Sequence, residues 1–203
     1  TATPFRLDGK GLGDLFGRII ISATPADLIA QGYLHKPQVW SHSTPNLQGV
    51  GKTAGDYNLK QLDNAVNQSV LIGDIVNTWQ KHAAGKKTVV FAVSIEHSKN
   101  IVAAFQAAGV AAEHLDGATP KEERDAILNR LRCGWTTVVS NCMVLTEGWD
   151  LPALECAIIA RPTASLCLHL QMLGRIMRAC DGKEAAVVLD HAGNHHTHGS
   201  VTR

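Results

Sequence analysis

Residues 87–115 read KTVVFAVSIEHSKNIVAAFQAAGVAAEHL, and the fold turns on how they divide. KTVVFAV (87–93) and VAAEHL (110–115) are short, β-rich apolar runs, and the stretch near 96–108 between them has a helical pattern. The same alternation continues through TTVVS (136–140), ECAIIA (155–160) and AAVVLD (185–190), with further helical patterns near 61–84, 120–132 and 164–179. Strands that are apolar throughout must be covered on both faces. Their alternation with helices predicts an α/β fold, a parallel sheet between two helical layers. One helix start is sharply marked. In GATPKEERDAILNRL, Thr119 is expected to cap, Pro120 to open the helix and Glu122 to complete a capping box.

The pattern before residue 61 is less regular. RIIIS (18–22) suits a strand, and TPADLIAQG (24–32) a short helix capped by Thr24 and ended by Gly32. A polar stretch from about Ser41 to Asn58 reads as a linker. Within it, QGVGKT (48–53) imitates the end of a phosphate-binding P-loop. A true P-loop needs a glycine where Asn46 stands, a buried strand before it and a helix directly after it. None of these is present, so Gly49, Gly51, Lys52 and Thr53 are expected to be linker residues.

Bulk properties narrow the function. A chain of 203 residues with 45% hydrophobic and 18% charged content can bury a proper core. The net charge of +1 leaves no polybasic footprint, so nucleic-acid binding would need a local patch. No apolar run approaches the roughly 20 residues of a membrane span, and no signal peptide is evident. Five cysteines without a C-x-x-C pair point to reduced thiols in the cytoplasm and away from structural zinc. The opening TATPFR, without a start methionine, reads as the interior of a longer chain.

Ligands of open parallel sheets bind beyond the carboxyl ends of the strands. Those ends offer Ser94, Asp116 with Gly117, Ser140 with Asn141, Arg161, and Asp190 with His191. The helical pattern ASLCLHLQMLGRIMR (164–178) is more specific. Leu166, Leu170, Leu173 and Met177 share an apolar stripe, and Gln171, Arg175 and Arg178 share another about 130–140° away. Gly174 between them suggests close approach by a backbone or a ligand. Two arginines on a rigid element suit polyphosphate recognition, or they belong to an ordinary solvated face.

QMLGRIMR (171–178) resembles the Q-x-x-G-R-x-x-R motif of superfamily 2 helicases, and VLTEGWDLP (144–152) the motif preceding it. TATP (1–4) resembles the motif that closes the first helicase domain. VVFAVSIEHSKNI (89–101) and HLDGATPKEERDAIL (114–128) resemble the segments lining the nucleic-acid track. TATPFRLDGKGL, GDYNL (55–59) and VVLDHAGN (187–194) are most similar to the bacterial RadD-type branch of DEAD/DEAH-like helicases. The resemblance implies a RecA-like fold in three parts: residues 1–42 as the tail of a first RecA-like domain, 43–60 as linker and 61–203 as the second RecA-like domain. ATP and Mg would be held mainly by that N-terminal RecA-like domain, whose P-loop and Asp-Glu box are expected upstream of these residues. This chain alone is therefore expected to be inactive.

The same resemblance assigns residues. Arg175 and Arg178 would meet the γ-phosphate as arginine fingers, with Gln171, Gly148 and Asp150 reaching the nucleotide. Ser94, Gly117, Ser140 and Thr146 would touch the nucleic-acid backbone, and Thr1, Ala2 and Thr3 would couple hydrolysis to binding. DNA is favoured over RNA by branch similarity alone. The rival reading is a non-catalytic RecA-like module that binds nucleic acid or a protein. Three other features have plainer expectations: an Arg124–Asp116 ion pair, packing of Trp149 against the sheet edge, and no metal at His191, His195, His196 and His198.

Overall fold

The structure is a computed structural model describing residues 11–13, 16–18, 20, 22–41, 44–53, 55–146 and 149–201. Thr1, Ala2, Thr3 and Gly148 lie outside the described residues, as does part of RIIIS. Six parallel strands are built from the apolar runs: β1 (Pro37–Ser41), β4 (Thr88–Phe91), β5 (Ala112–Leu115), β6 (Val138–Asn141), β7 (Cys156–Ile159) and β8 (Ala186–Asp190). Their order is β1-β8-β7-β4-β6-β5, and every pairing is parallel. A separate antiparallel hairpin joins β2 (Lys52–Thr53) to β3 (Asp56–Tyr57). The helices are α1 (Pro25–Ala30), α2 (Leu59–Val66), α3 (Ser69–His82), α4 (Ile95–Ala107), α5 (Lys121–Cys133), α6 (Leu166–Gly174) and α7 (Asn194–His198).

Both faces of the sheet are apolar because alternate residues of each strand serve different cores. Val89, Phe91, Val139, Ala157, Ile159 and Val188 join Leu128, Leu131, Leu168 and Met172 of α5 and α6. Their neighbours Val90, Val138, Cys156, Ile158, Val187 and Leu189 join Trp79, Ile101 and Phe105 of α3 and α4 on the other side. Trp79 meets Phe105 edge-on at 5.3 Å and donates its indole N–H to Thr88 Oγ1, so its one polar atom is satisfied where it is buried. The continuous apolar runs therefore do form a parallel sheet covered on both faces.

Several local expectations are corrected. The helical pattern at 61–84 is two helices, α2 and α3, broken at Asn67. Thr119 does not cap α5, whose N-cap is Pro120. The Thr119 hydroxyl instead donates to Asp116 Oδ1, which also takes the amide protons of Ala118 and Thr119, so a turn competes successfully for the capping oxygen. Thr24 does cap α1, in a capping box with Asp27, and Gly32 follows at φ +79°.

The segment expected to be a bare linker is docked. Residues 37–41, expected to go with the segment before it, instead form the edge strand β1 of this sheet, with Val39 packed against the core. Leu47 and Val50 pack on Leu62, Val66 and Val93. Gly193, at φ +72°, faces Thr44 so closely that an added Cβ would lie 2.8 Å from its methyl carbon. In the imitation P-loop, Lys52 and Thr53 form β2, and the next helix, α2, begins at Leu59.

Candidate nucleotide and nucleic-acid site

Register aligns the carboxyl ends of all six strands. Ser41 pairs with Asp190, Asp190 with Ile159, Ile159 with Phe91, and Phe91 and Leu115 each with Asn141. The loops that follow therefore emerge together along one edge, where the sequence placed its polar groups. Asn141 anchors the loop after β6. Its Nδ2 donates to Val90 O at 2.8 Å, and its Oδ1 accepts from Leu145 N at 3.1 Å. Asp190 does the same after β8, accepting the amide protons of Ala192, Asn194 and His195.

The loop after β6 carries the first half of the candidate nucleotide site, and the end of α6 carries the second. Arg175 joins them. Its Nε and Nη2 donate to Thr146 O at 3.1 and 2.8 Å, and its Nη1 donates to Trp149 O. Arg178 lies one short step on, paired with Asp150. Lys183 closes the corner from the core side. Its buried Nζ donates to Pro152 O at 3.2 Å, Arg178 O at 2.9 Å and Ile176 O. Burial pushes this ammonium down to about 8. Arg175 and Lys183 thus bind two sequence-distant segments through backbone carbonyls, and Arg178 adds an ion pair between them.

The two arginines do not form a row on one helix. α6 ends at Gly174, Arg175 is its C-cap, and Arg178 lies beyond it in an antiparallel bridge with Leu34. Residues 33–35 cause the break by competing for the backbone. His35 N donates to Met177 O at 2.7 Å and Ala179 N to Tyr33 O at 3.3 Å. A glycine at 174 makes the helix easy to end there. Among the described residues, nothing beyond its own helix lies within 4 Å of a Cβ added at Gly174, so of the two expected neighbours, a backbone or a ligand, the backbone is not there. Of the expected apolar stripe, Leu173 and Met177 are buried in the core and Leu170 packs against it, joined there by Leu168, Met172 and Ile176; Leu166 is the exception, 43% exposed. Gln171 is half-buried on α6.

The residues expected along a nucleic-acid track divide by accessibility. Gly117 is exposed in the turn after β5. Ser94 is half-buried at the start of α4, where its Oγ accepts from His97 N and donates to Asp63 Oδ1 at 2.6 Å. Thr146 is buried, and its hydroxyl donates to Met143 O at 3.3 Å. Ser140 is corrected. It has no exposed surface, because the side chain belongs to a buried chain of hydrogen bonds. Ser98 Oγ donates to Ser140 Oγ at 2.7 Å and sits 2.7 Å from His114 Nδ1, and His114 Nε2 lies 3.0 Å from Asp116 Oδ2. That bond to His114 holds Asp116 below the usual carboxylate range. Asp116 is therefore engaged by His114, not by Arg124, whose Nη2 donates to Thr119 O. Trp149 packs against the core at the base of its loop.

Two contributors went unnoticed in the sequence. Lys183 sits in an ordinary-looking turn, DGKEAA, and nothing in its spacing marks it. Asp56 carries a weak signal only through GDYNL. Its carboxylate accepts from Thr163 Oγ1 at 2.9 Å and Ala164 N at 2.7 Å, and lies 3.5 Å from Arg161 Nη2, clamping the hairpin to the loop before α6. Among the described residues no group of three His, Cys, Asp or Glu side chains is placed to hold a metal ion. No helix among them is long and apolar enough to cross a membrane.

A six-stranded parallel sheet between helical layers, with its polar loops gathered at the strand carboxyl ends, is an α/β domain of the RecA-like class. The model of the family described as helicase conserved C-terminal domain matches residues 67–180, and the chain belongs to that family, within superfamily 2. It is 36% identical over 199 residues to a 51.5 kDa protein of Lactococcus phage (isolate 7-9), covering 98% of this chain and 44% of that protein. It is 35% identical over 191 residues to the putative mitochondrial ATP-dependent helicase irc3 of Schizosaccharomyces pombe, covering 94% of this chain and 32% of that one. This chain thus spans less than half of either relative. A fragment of a putative HsdR subunit of a type I restriction enzyme from Vibrio vulnificus YJ016 shares the fold at a TM-score of 0.75 and 18% identity, covering 97% of this chain and 41% of that one. The ATP-dependent Type ISP restriction-modification enzyme LlaBIII bound to DNA shares it at 0.63 and 19%, covering 84% of this chain and 13% of that one.

Proposed function

We propose that this domain is the C-terminal half of an ATP-dependent helicase or translocase, completing an ATP site whose P-loop and magnesium ligands lie in a preceding RecA-like domain of the same protein. The observation that supports this most is the corner at Thr146–Asp150. Arg175 holds the loop by its carbonyls, and Arg178 presents a side chain that is 41% exposed beside the more accessible Asp150. A guanidinium held this way can leave a surface carboxylate for a phosphate at little cost, because exposed ion pairs are worth about 0–1 kcal/mol. In this reading Arg178 is the finger that meets charge developing on the γ-phosphoryl group, and Arg175 supports it. By the helicase resemblance, Gln171, Gly148 and Asp150 are assigned to the nucleotide, and Thr1, Ala2 and Thr3 to coupling. The donors present suit a triphosphate. ATP with magnesium would supply the reacting phosphoryl group, and this half would supply positive charge and orientation.

Ser94, Gly117 and the loop around Thr146 form one edge of a nucleic-acid path, contacting the backbone through hydroxyl and N–H donors. DNA is favoured over RNA by the RadD-type similarity alone. Reduced cysteines fit the cytoplasm. The test is Arg178→Ala in the whole protein. Nucleic-acid-stimulated ATP hydrolysis should fall by on the order of 10³ or more while binding of DNA persists. Arg178→Lys should restore little, since an ammonium lacks the planar fork. Near-normal turnover in Arg178→Ala would leave a non-catalytic binding module as the better reading.

A further inference from the structure

Met143 is the one non-glycine residue among those described with a positive φ, at +60°. A side chain in the left-handed region costs free energy, and such strain persists where the surroundings over-determine it, commonly at ligand contacts. The side chain that incurs this cost is also out of place: Met143 is an apolar residue left 46% exposed. The position sharpens the question. Met143 follows the aligned end of β6, between the loops after β4 and β5, and the preceding Cys142 is tied to Val93 O through its Sγ at 3.5 Å. It therefore stands among Ser94, Gly117 and Thr146, whose hydroxyl donates to its carbonyl.

A cation lies directly behind it. Arg161, only 5% exposed, lies with Nη1 directly against the Met143 thioether, and its buried Nε has no hydrogen-bond partner among the described residues. Asp56, at 3.5 Å, is its ion-pair partner. A strained backbone therefore holds an unbranched, polarisable side chain outward over a cation with an unused donor. Core packing does not account for this, since Met143 belongs to none of the hydrophobic clusters of the described residues.

We propose that Met143 is a nucleic-acid contact, laying its thioether against the sugar or base of a single strand crossing the strand ends, with Arg161 supplying positive charge beneath. This rests on the nucleic-acid path assigned above and adds an apolar contact to its polar ones. The methyl thioether suits a contact that tolerates any base, because it presents shape and polarisability and no hydrogen-bonding pattern. The strain then has a function: any relaxed backbone would turn the side chain away from the strand.

The experiment uses the whole protein with Met143→Gly, Met143→Asn and Met143→Leu, measuring thermal midpoints and affinity for a single-stranded oligonucleotide of mixed sequence. Glycine and asparagine accept the left-handed conformation, so their midpoints should not fall, whereas loss of an ordinary packed methionine would lower them. Their dissociation constants should rise about tenfold, the scale of one buried apolar contact. Met143→Leu should stay within about threefold of the unsubstituted protein, because it keeps the apolar volume. Equal affinity of the Met143→Gly and unsubstituted proteins would overturn the proposal alone. A lowered midpoint in Met143→Gly would also overturn it, by showing a packing role. Failure of the unsubstituted protein to bind the oligonucleotide would remove this proposal and the nucleic-acid path together.

Discussion

Arg175 and Arg178 occupy adjacent places in one motif, yet the structure gives them different work, and a stability measurement separates them. Arg175 makes three N–H···O bonds to two backbone carbonyls, those of Thr146 and Trp149. Hydrogen bonds to a charged group contribute about 1.5–3 kcal/mol each, but two of these share one acceptor and the site is half-buried. A total of roughly 2–3 kcal/mol is therefore the expected cost of Arg175→Ala. In a domain of this size each kcal/mol moves the melting midpoint by about 2–4 °C, which places the drop at roughly 4–12 °C. Arg178 pairs with a carboxylate whose side chain is 58% exposed, so Arg178→Ala should cost at most about 1 kcal/mol. Thermal unfolding of the whole protein, followed by tryptophan fluorescence to exploit Trp149, would read both. An Arg175→Ala protein that melts with the unsubstituted one would refute the clasp. So would an Arg178→Ala protein destabilised as much as Arg175→Ala.

Acid should destabilise the domain through two buried histidines. Burial lowers His97 and His169 from 6.5 to about 4, so the unfolded chain binds protons more readily than the folded one between those values. Their contribution is intact above pH 6.5, is lost as pH falls, and has cost roughly 2 kcal/mol for each by pH 5; urea midpoints across this range should flatten in His97→Gln or His169→Gln. Lys183→Ala removes a buried ammonium from three carbonyls and should cost roughly 3 kcal/mol, with faster amide exchange at residues 149–152; unchanged exchange there would mean the lysine does not hold the corner. Phe105→Ala, fully buried against Trp79, should cost about 3–5 kcal/mol by chemical denaturation, and a cost below about 1 kcal/mol would contradict the packing described.

The amino-acid sequence alone determined the layered architecture, though not its edge strand β1. Strands with apolar residues on both faces, as in TVVF and CAII, can be buried only between two layers, so a parallel sheet with helices on both faces was legible before any coordinates. The polar strand ends and the two arginines were legible for a related reason, since their residue types and spacing are local facts. Tertiary structure decided what competition between distant groups decides. Residues 33–35 took the backbone of 177–179 and ended α6 early, so Arg178 is not on a helix although its spacing suits one. Asp116 claimed the Thr119 oxygen and its own partner His114, leaving Arg124 with a carbonyl. Lys183 became central because three carbonyls from two segments meet at its ammonium, and the strained φ of Met143 is visible only in the folded backbone. Periodicity records which face of an element is buried. Which partner a hydrogen-bonding group finds depends on what the fold carries to it from far along the chain.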